Sequence, residues 1–477
     1  MNATQTRSTS RQRWVLALSA ISSLMVILDV MVVTTALNTI RLKLHASLDQ
    51  LEWTLNAFTL TFAVLLMTAA ALGDHFGRRR MLTSGLALFT LGSIGCALAP
   101  GIGWLIGARA VRGAAAALIM PQAMALLSAA FPPDQRARAL GLYSSITGLA
   151  LIGGPVFGGV VVQGLAWQWI FWLNVPIGVI LIPLILKRIE ESSGTGSSLD
   201  FGGVALVSGG ALGLVWGLVR ANVVGWFSME VVLALLAGGA LLAAFVGWEL
   251  RMRQPMLPMH YFKLRAFSAG NAAGFLLYGA IYGSVFFFAQ YLQTTLHLAP
   301  LDAGLRMLPW TANLFIVAPI AGSLVNRLGE RRLFVPGMML QSAAFAALGL
   351  LANSGAPYEA MLLPLIVAGA GVSMAMPAQQ NAVIGSVPPA AIGTASGTLN
   401  TLRQLGGTFG VAILAAVFAA NGSYASPAAF SQGFVPALGV GAAMSLVAAI
   451  IGGWIPARRP AVQPQVAVAP VPVEVAA

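Results

Sequence analysis

Apolar residues in this chain do not alternate with polar ones at the spacing of a surface helix; they fill long stretches outright. Runs of about twenty mostly apolar residues, the length that crosses a hydrocarbon core as a helix, recur around residues 25, 62, 89, 114, 150, 178, 210, 239, 279, 313, 342, 371, 408 and 445. Short clusters rich in Arg, Gly and Pro separate them, as in "GDHFGRRRM" (73–81). In lipid every backbone polar group must be satisfied within the segment, so such runs become helices. The pattern predicts an all-α integral membrane protein with about fourteen spans. The pair over 201–219 and 229–250 is very Gly- and Ala-rich and the least sharply bounded.

Composition strengthens this picture. Of 477 residues, 58% are hydrophobic and 8% charged, and the mean hydropathy is +0.84. A soluble domain carries about 25% charged residues. A larger core cannot absorb the difference, because single cores stop growing well below this chain length. Lipid must therefore bathe most of the surface.

The net charge of +12 is then no footprint of nucleic-acid binding. With the N-terminus assigned to the cytoplasm, nineteen of the 26 Lys and Arg fall on that side, among them Arg78, Arg79, Arg80, Arg331 and Arg332. Four lie opposite (Arg41, Lys43, Arg220, Arg306) and three within spans (Arg109, Arg112, Arg403). This bias predicts cytoplasmic termini in the inner (cytoplasmic) membrane. The run from Trp14 to Leu37 exceeds a signal-peptide core and reads as a first, uncleaved span. Cys96 is the single cysteine, so no intrachain disulfide is expected.

An internal repeat orders the spans. "GDHFGRRRM" aligns without gaps to "VNRLGERRL" (325–333), matching Gly77 to Gly329 and Arg79 and Arg80 to Arg331 and Arg332. The offset fits six spans plus an inserted pair. The expected organisation is a six-helix bundle over 1–195, a linker with two extra spans over 196–255, a second six-helix bundle over 256–460, and a disordered cytoplasmic tail over 461–477. "EESSGTGSSLD" (190–200) is the flexible link out of the first bundle. Two parallel repeats around a central site form a transporter architecture.

Several residues carry candidate chemistry. Asp29 is the one deep carboxylate, within "SSLMVILDVMVVTTAL" (22–37). A charge at that depth costs about 2.5–3.5 kcal/mol on insertion scales, so it calls for a function or a partner. Arg109 and Arg112 share one helical face. Counted from the span ends, Arg112 lies at the same depth as Asp29, about 12 Å in. Arg109 is shallow enough to snorkel. Burial and a nearby guanidinium act oppositely on a carboxyl, and their balance can let it load and release a proton. A fixed ion pair between the first and fourth spans is the plainer alternative.

In "GDHFGRRR", Gly73 and Gly77 permit a tight turn and close approach. Asp74 can pair with Arg78, Arg79 or Arg80, or with a helix N-terminus. In "GLALIGGPVFGG" (148–159), Gly154 and Gly158 lie four apart on one face and favour close helix packing, while Pro155 can bend the helix. Tyr278, Tyr282, Phe286 and Gln290 form a stripe at helical spacing. They are candidates for a substrate cavity together with Arg403, and packing is the alternative reading. Gln379, Gln380 and Asn381 add amides on another span.

These stretches resemble the major facilitator superfamily, and within it the 14-span drug:proton antiporters of the EmrB/QacA-like type. "LDVMVVTTAL" (28–37), "GDHFGRRR" (73–80), "RAVRGAAAALIMP" (109–121), "GLALIGGPVFGG" (148–159), "WQWIFWLNVPIG" (167–178) and "QYLQTTLHLAPLDAGLRMLP" (290–309) carry the resemblance across nearly the whole chain. It implies two six-helix bundles plus two inserted helices, with Asp29, Arg109 and Arg112 coupled to protons. It also implies that Gly73, Asp74, Gly77, Arg78, Arg79 and Arg80 form a conformational latch. Gly148, Gly154, Pro155, Gly158 and Gly159 are the antiporter motif on the same resemblance. Three positions depart from the family pattern: Ala70 stands for glycine, Arg112 for glutamine, and Asn326 for aspartate in the second loop.

The expected function is a proton-coupled exporter of amphipathic drugs, antibiotics or toxic small molecules by alternating access. A metabolite-specific exporter, or a facilitator without proton coupling, is the alternative. An enzyme is disfavoured: His45, His75, His260 and His297 have no metal spacing, and no HExxH or GxSxG occurs. Lys43, Lys187 and Lys263 follow no glycine, as a phosphate loop would require. The expected partners are protons, lipid and a small amphipathic substrate, with no cofactor, metal or nucleic acid, and with a monomer as the working assembly.

Overall fold

The computed structural model describes residues 10–193, 200–252, 255, 257, 259–388 and 392–457. The tail over 461–477 lies outside the described residues, as do most of the link after Ser193, the surroundings of Gly148 and the side chain of Asn326. Among the described residues the chain is helical and has no strand. In order the helices are α1 (Ser10–Leu44), α2 (Leu48–Phe76), α3 (Arg78–Ala97), α4 (Ile102–Ala130), α5 (Pro133–Gly164), α6 (Trp169–Trp172) and α7 (Asn174–Arg188). There follow α8 (Phe201–Val224), α9 (Met229–Glu249), α10 (Arg265–Thr294), α11 (Pro300–Arg306), α12 (Leu308–Thr311) and α13 (Asn313–Leu328). The last four are α14 (Glu330–Asn353), α15 (Tyr358–Ile384), α16 (Ile392–Asn421) and α17 (Pro427–Gly452).

Twelve helices among the described residues are long and apolar enough to cross a membrane, or thirteen if the bent pair Leu48–Leu66 and Thr68–Phe76 is one span. The fourteenth expected span corresponds to α5, much of whose side-chain surface lies outside the described residues. Two expected spans are broken. Pro176 follows the α6–α7 break and Pro309 the α11–α12 break, where a proline removes a backbone donor and its ring presses on the carbonyl four residues back. Outward-facing Leu236, Ile316, Leu350 and Leu363 are exposed. That is the expected surface of a protein solvated by lipid.

The helices form two groups and an inserted pair. In the first group α1 packs on α5 and α4, α2 on α4, and α3 on α4 and α7. In the second, α10 packs on α16 and α17, α14 on α15 and α17, and α13 on α15. Inserted α8 and α9 pack on each other, and α8 also touches α2 and α16. Their glycine richness has a packing cause: a Cβ on Gly238 would sit 2.8 Å from the Leu214 backbone nitrogen. Only small residues let two backbones approach so closely.

Successive long helices run in opposite directions, so the molecule has two ends. One, the arginine-rich end, carries the Gly77 and Gly329 turns. The other, the far end, carries the loops around residues 45–47, 295–299 and 422–426. Ser426 accepts a bond from Ala429 N–H (3.1 Å) and so caps α17 there, answering one of the four orphan donors of a helix start.

Candidate functional site

Three charged side chains meet inside the first helix group. Asp29 on α1 is 3% exposed, and Arg109 and Arg112 on α4 are fully buried. Arg109 Nη1 donates to Asp29 Oδ2, while Arg112 Nη1 stands 2.6 Å from Asp29 Oδ1. One carboxylate thus faces two guanidinium groups, one on each oxygen. Neither arginine snorkels. Arg109 spends another donor, Nε, on the Thr54 carbonyl of α2 (3.0 Å).

Aromatic faces take up what hydrogen bonds leave. The Arg109 guanidinium lies 4.5 Å from the centre of the Phe58 ring, and that of Arg112 lies 4.3 Å from Phe89 and 5.0 Å from Phe171. Stacked cation–π contacts of this kind strengthen when desolvated. Two glycines make the room. A Cβ on Gly113 would collide with the Phe58 carbonyl, and one on Gly92 would sit 2.6 Å from Arg112 Cγ. Protonating Asp29 in this arrangement would leave two buried cations without a counter-charge. The ionised carboxylate is the form that fits.

At the arginine-rich end, Asp74 pairs with Arg78, whose Nε and Nη2 both donate to Oδ1 (2.9 and 2.7 Å). Arg79 and Arg80 turn elsewhere, to a residue that sequence reading missed. The Glu191 carboxylate accepts from the backbone N–H of Arg79 (2.9 Å) and of Arg80 (3.3 Å). It therefore sits on the N-terminus of α3, where a negative charge is favoured. Arg79 Nη1 in turn donates to the Ile189 carbonyl (3.2 Å). Gly77 holds φ at +103°, a region that favours glycine, and Gly73 leaves space that the Gln122 side chain of α4 fills. The first loop is thereby tied to the end of α7. In the second loop Asn326 lies outside the described residues, but Glu330 is an acid that the repeat alignment passes over, since it matches Arg78. Glu330 Oε1 accepts from Asn381 Nδ2 (3.0 Å).

Of the glycine motif on α5, Gly154 and Gly158 face α1, where a Cβ would strike Met31 and Thr35. Gly159 faces the second helix group: its Cβ would lie 2.6 Å from the Pro300 carbonyl. Gly304 returns the contact against the Pro155 carbonyl. Gly148 lies outside the described residues.

The aromatic stripe on α10 divides. Tyr278 and Tyr282 meet edge to face at 6.2 Å, and the Arg403 guanidinium stacks 4.6 Å from Tyr278, so these three form one cluster. Phe286 and Gln290 are fully buried further along. Tyr424, in the loop before α17, donates to Gln290 Oε1. Burial pushes the Tyr424 phenol up, against the opposing pull of nearby Arg41, so it remains a donor. Gln379 donates to the Gly270 carbonyl (2.9 Å) and Gln380 is exposed.

The two groups touch along a seam toward the far end. Gln293 Nε2 donates to the Thr35 carbonyl (3.0 Å), the Thr408 hydroxyl to the Thr59 hydroxyl oxygen (2.8 Å), and Leu301 N–H to Gln163 Oε1 (3.3 Å). Arg41 stacks 4.3 Å from the Tyr424 ring.

Comparison with known proteins agrees with this geometry. The chain is 30% identical over 440 residues to the tetracenomycin C resistance and export protein of Streptomyces glaucescens, covering 92% of this chain and 81% of that one. It is 34% identical to the multidrug resistance protein Stp of Mycobacterium tuberculosis, covering 83% and 74%. With the methylenomycin A resistance protein of Streptomyces coelicolor it shares 33% identity, over 85% and 86%. Among solved structures, the POT family transporter PepTSo has the same fold at TM-score 0.70 and 12% identity, over 94% of this chain and 97% of that one. A bacterial homologue of the human lysosomal transporter Spinster, in an inward-facing conformation, matches at TM-score 0.66 and 16% identity, over 94% and 97%. The family profile of the Major Facilitator Superfamily matches residues 19–411. With its paired helix groups, its repeated glycine–arginine turns and that match, the chain belongs to the Major Facilitator Superfamily.

Proposed function

We propose that this protein is a proton-coupled exporter of amphipathic drugs or antibiotics, of the 14-span drug:proton antiporter type. The observation that carries the reading is Asp29, a buried carboxylate held between Arg109 and Arg112 inside a helix group that must move against its counterpart. The relatives named for tetracenomycin C export, multidrug resistance and methylenomycin A resistance support the substrate class. On this reading α5 completes the fourteen spans. We also propose that the bundles span 1–195 and 256–460 with the inserted pair between them, and that 461–477 is a cytoplasmic tail.

On this reading the arginine-rich end faces the cytoplasm, in keeping with the bias of basic residues, and the seam holds the outer side closed. In this arrangement the ionised triad is the state after proton release, ready for substrate. When the halves rock to face outward, any loosening of the arginine contacts lets the carboxylate take a proton from outside, and the return stroke carries it in. Tyr278, Tyr282 and Arg403 are the proposed substrate-facing cluster. A static clasp between α1 and α4 would show the same contacts. Reconstituted protein decides: export against a gradient that collapses with the pH difference supports coupling, while unchanged export without that gradient removes it.

Two expectations follow for the latch and the substrate. Asp74→Asn should slow transport several-fold, since it frees Arg78 from the loop, whereas substituting Asn326 should have little effect. A stopped-flow efflux series checks this, and equal effects at both positions would remove the latch role. Among the described residues, buried Arg109, Arg112 and Arg403 outnumber Asp29, the one carboxylate that pairs with any of them, and low dielectric amplifies their repulsion of cations. Neutral, zwitterionic, anionic or monocationic amphipaths should therefore be exported better than rigid dications. An efflux panel dominated by bis-biguanides or diamidines would show the opposite.

A further inference from the structure

The seam encloses a carboxylate that the Asp29 triad does not use. Glu52, near the start of α2, is fully buried. Neither of its oxygens has a hydrogen-bond partner among the described residues, and no ion pair reaches it there. One turn on, the fully buried Asn56 amide is also unbonded at both atoms, and Asn38 Oδ1 on α1 shares that condition. Tyr424, from the opposite helix group, is close enough to feel the Glu52 charge. Trp53, the next residue, packs on the cluster that Ala412 of α16 forms with Val215 and Val219 of α8. Glu52 therefore lies where the two groups close on each other.

Among the described residues, none of the charged groups around it forms an ion pair with it. Asp49 on the same helix opposes a second negative charge. Arg41 of α1 stacks on Tyr424, and Lys43 is exposed. Arg109 of α4 is held by Asp29 and the Thr54 carbonyl. Arg220 of α8 pairs with Glu230 of α9 at 3.3 Å. An ionised carboxylate with no partner is strongly disfavoured in such a dry site, and the neutral acid is not.

We propose that Glu52 is a second proton-binding residue of the transport cycle, protonated while the seam is closed and ionised once the halves part and water reaches it. On opening, the carboxyl O–H bond breaks and its proton passes to outside water; on closing, the carboxylate takes one back. Glu52 moves no net proton. It makes closure of the outer side depend on external acid, and so favours the return of the emptied carrier where protons are abundant. The inference rests on the orientation and alternating access proposed above.

The test reads the seam directly and needs neither substrate nor gradient, so it stands even if Asp29 proves not to carry protons. Thr408→Cys, a near-isosteric change at a fully buried seam position, is placed in a Cys96→Ala background of the full chain. Right-side-out proteoliposomes are labelled from outside with an impermeant thiol reagent, normalised to Ser354→Cys in an exposed loop of the same end. Between about pH 5.5 and about pH 8.5, normalised labelling should rise about fivefold with Glu52 present and stay low and flat with Glu52→Gln. Glu52→Asp, which keeps an acid, should retain the rise. A Glu52→Gln profile like the parent's, or a flat profile for Glu52→Asp, overturns the proposal. Loss of export confined to cationic substrates, with labelling unchanged, assigns Glu52 to substrate binding and overturns it equally.

Discussion

Asp29→Asn is expected to abolish pH-gradient-driven export while leaving substrate affinity within a few-fold of the parent. The amide keeps the shape of the carboxyl but can neither carry the proton nor balance the Arg109 and Arg112 guanidinium groups that take its two oxygens. Breaking a buried ion pair by removing one partner costs about 3–5 kcal/mol, so this variant should also lose thermal stability. The double variant Asp29→Asn with Arg112→Gln removes one stranded cation, and should recover part of that stability without recovering coupling. Separating the two readouts is what makes the experiment decisive. A static clasp would return both together; a proton carrier would return stability alone. An Asn variant that still concentrates substrate against a gradient would exclude Asp29 as the carrier.

Gly159→Leu should be nearly as damaging, for a different reason. The Gly159 Cα faces the Pro300 carbonyl and Leu301 across the seam, with a Cβ position 2.6 Å from each. A side chain there does not disturb the first helix group, because its neighbour Gly158 makes the contact with α1. It acts as a wedge between the groups. Overpacking costs about 1–3 kcal/mol, enough to shift a two-state balance by about fivefold to about 150-fold. Export should fall in proportion, and outside labelling at Thr408→Cys should rise at every pH because the seam cannot close. Gly304→Leu, approaching from the other group against Pro155, should reproduce the effect. Normal export by both variants would mean that the α5–α11 contact is not part of the cycle.

The spans and the charged residues within them were legible because lipid makes a charge costly wherever it lies along a helix. Asp29 and the i,i+3 pair Arg109 and Arg112 stood out on that ground, and helix rise matched their depths. Rotation about the helix axis was not legible. A helix between protein and lipid is apolar on both faces, so the pattern does not tell which face is inside. Phe286 and Gln290 continue the spacing of Tyr278 and Tyr282, yet they are buried apart from that cluster, with Gln290 bonded to Tyr424 from a distant loop. Arg109 could have snorkelled by its depth, and α2 decided otherwise by offering the Thr54 carbonyl and the Phe58 ring. Glu191 looked like part of a flexible link until the N-terminus of α3 was seen to rest on it.

What the sequence determined by itself is the solvent and the all-helical plan, each following from local properties: apolar run length and the need to satisfy every backbone group within its own helix. The tertiary structure alone decided which charges are answered. Two arginines share Asp29 because Gly92 and Gly113 let α3 and α2 come close to α4. Glu52, no more conspicuous in sequence than Asp49, is an acid enclosed without a hydrogen-bond partner among the described residues, at the side where two helix groups far apart in the chain meet. Partnership and burial are properties of the space between helices, and that space is set by packing across the whole molecule.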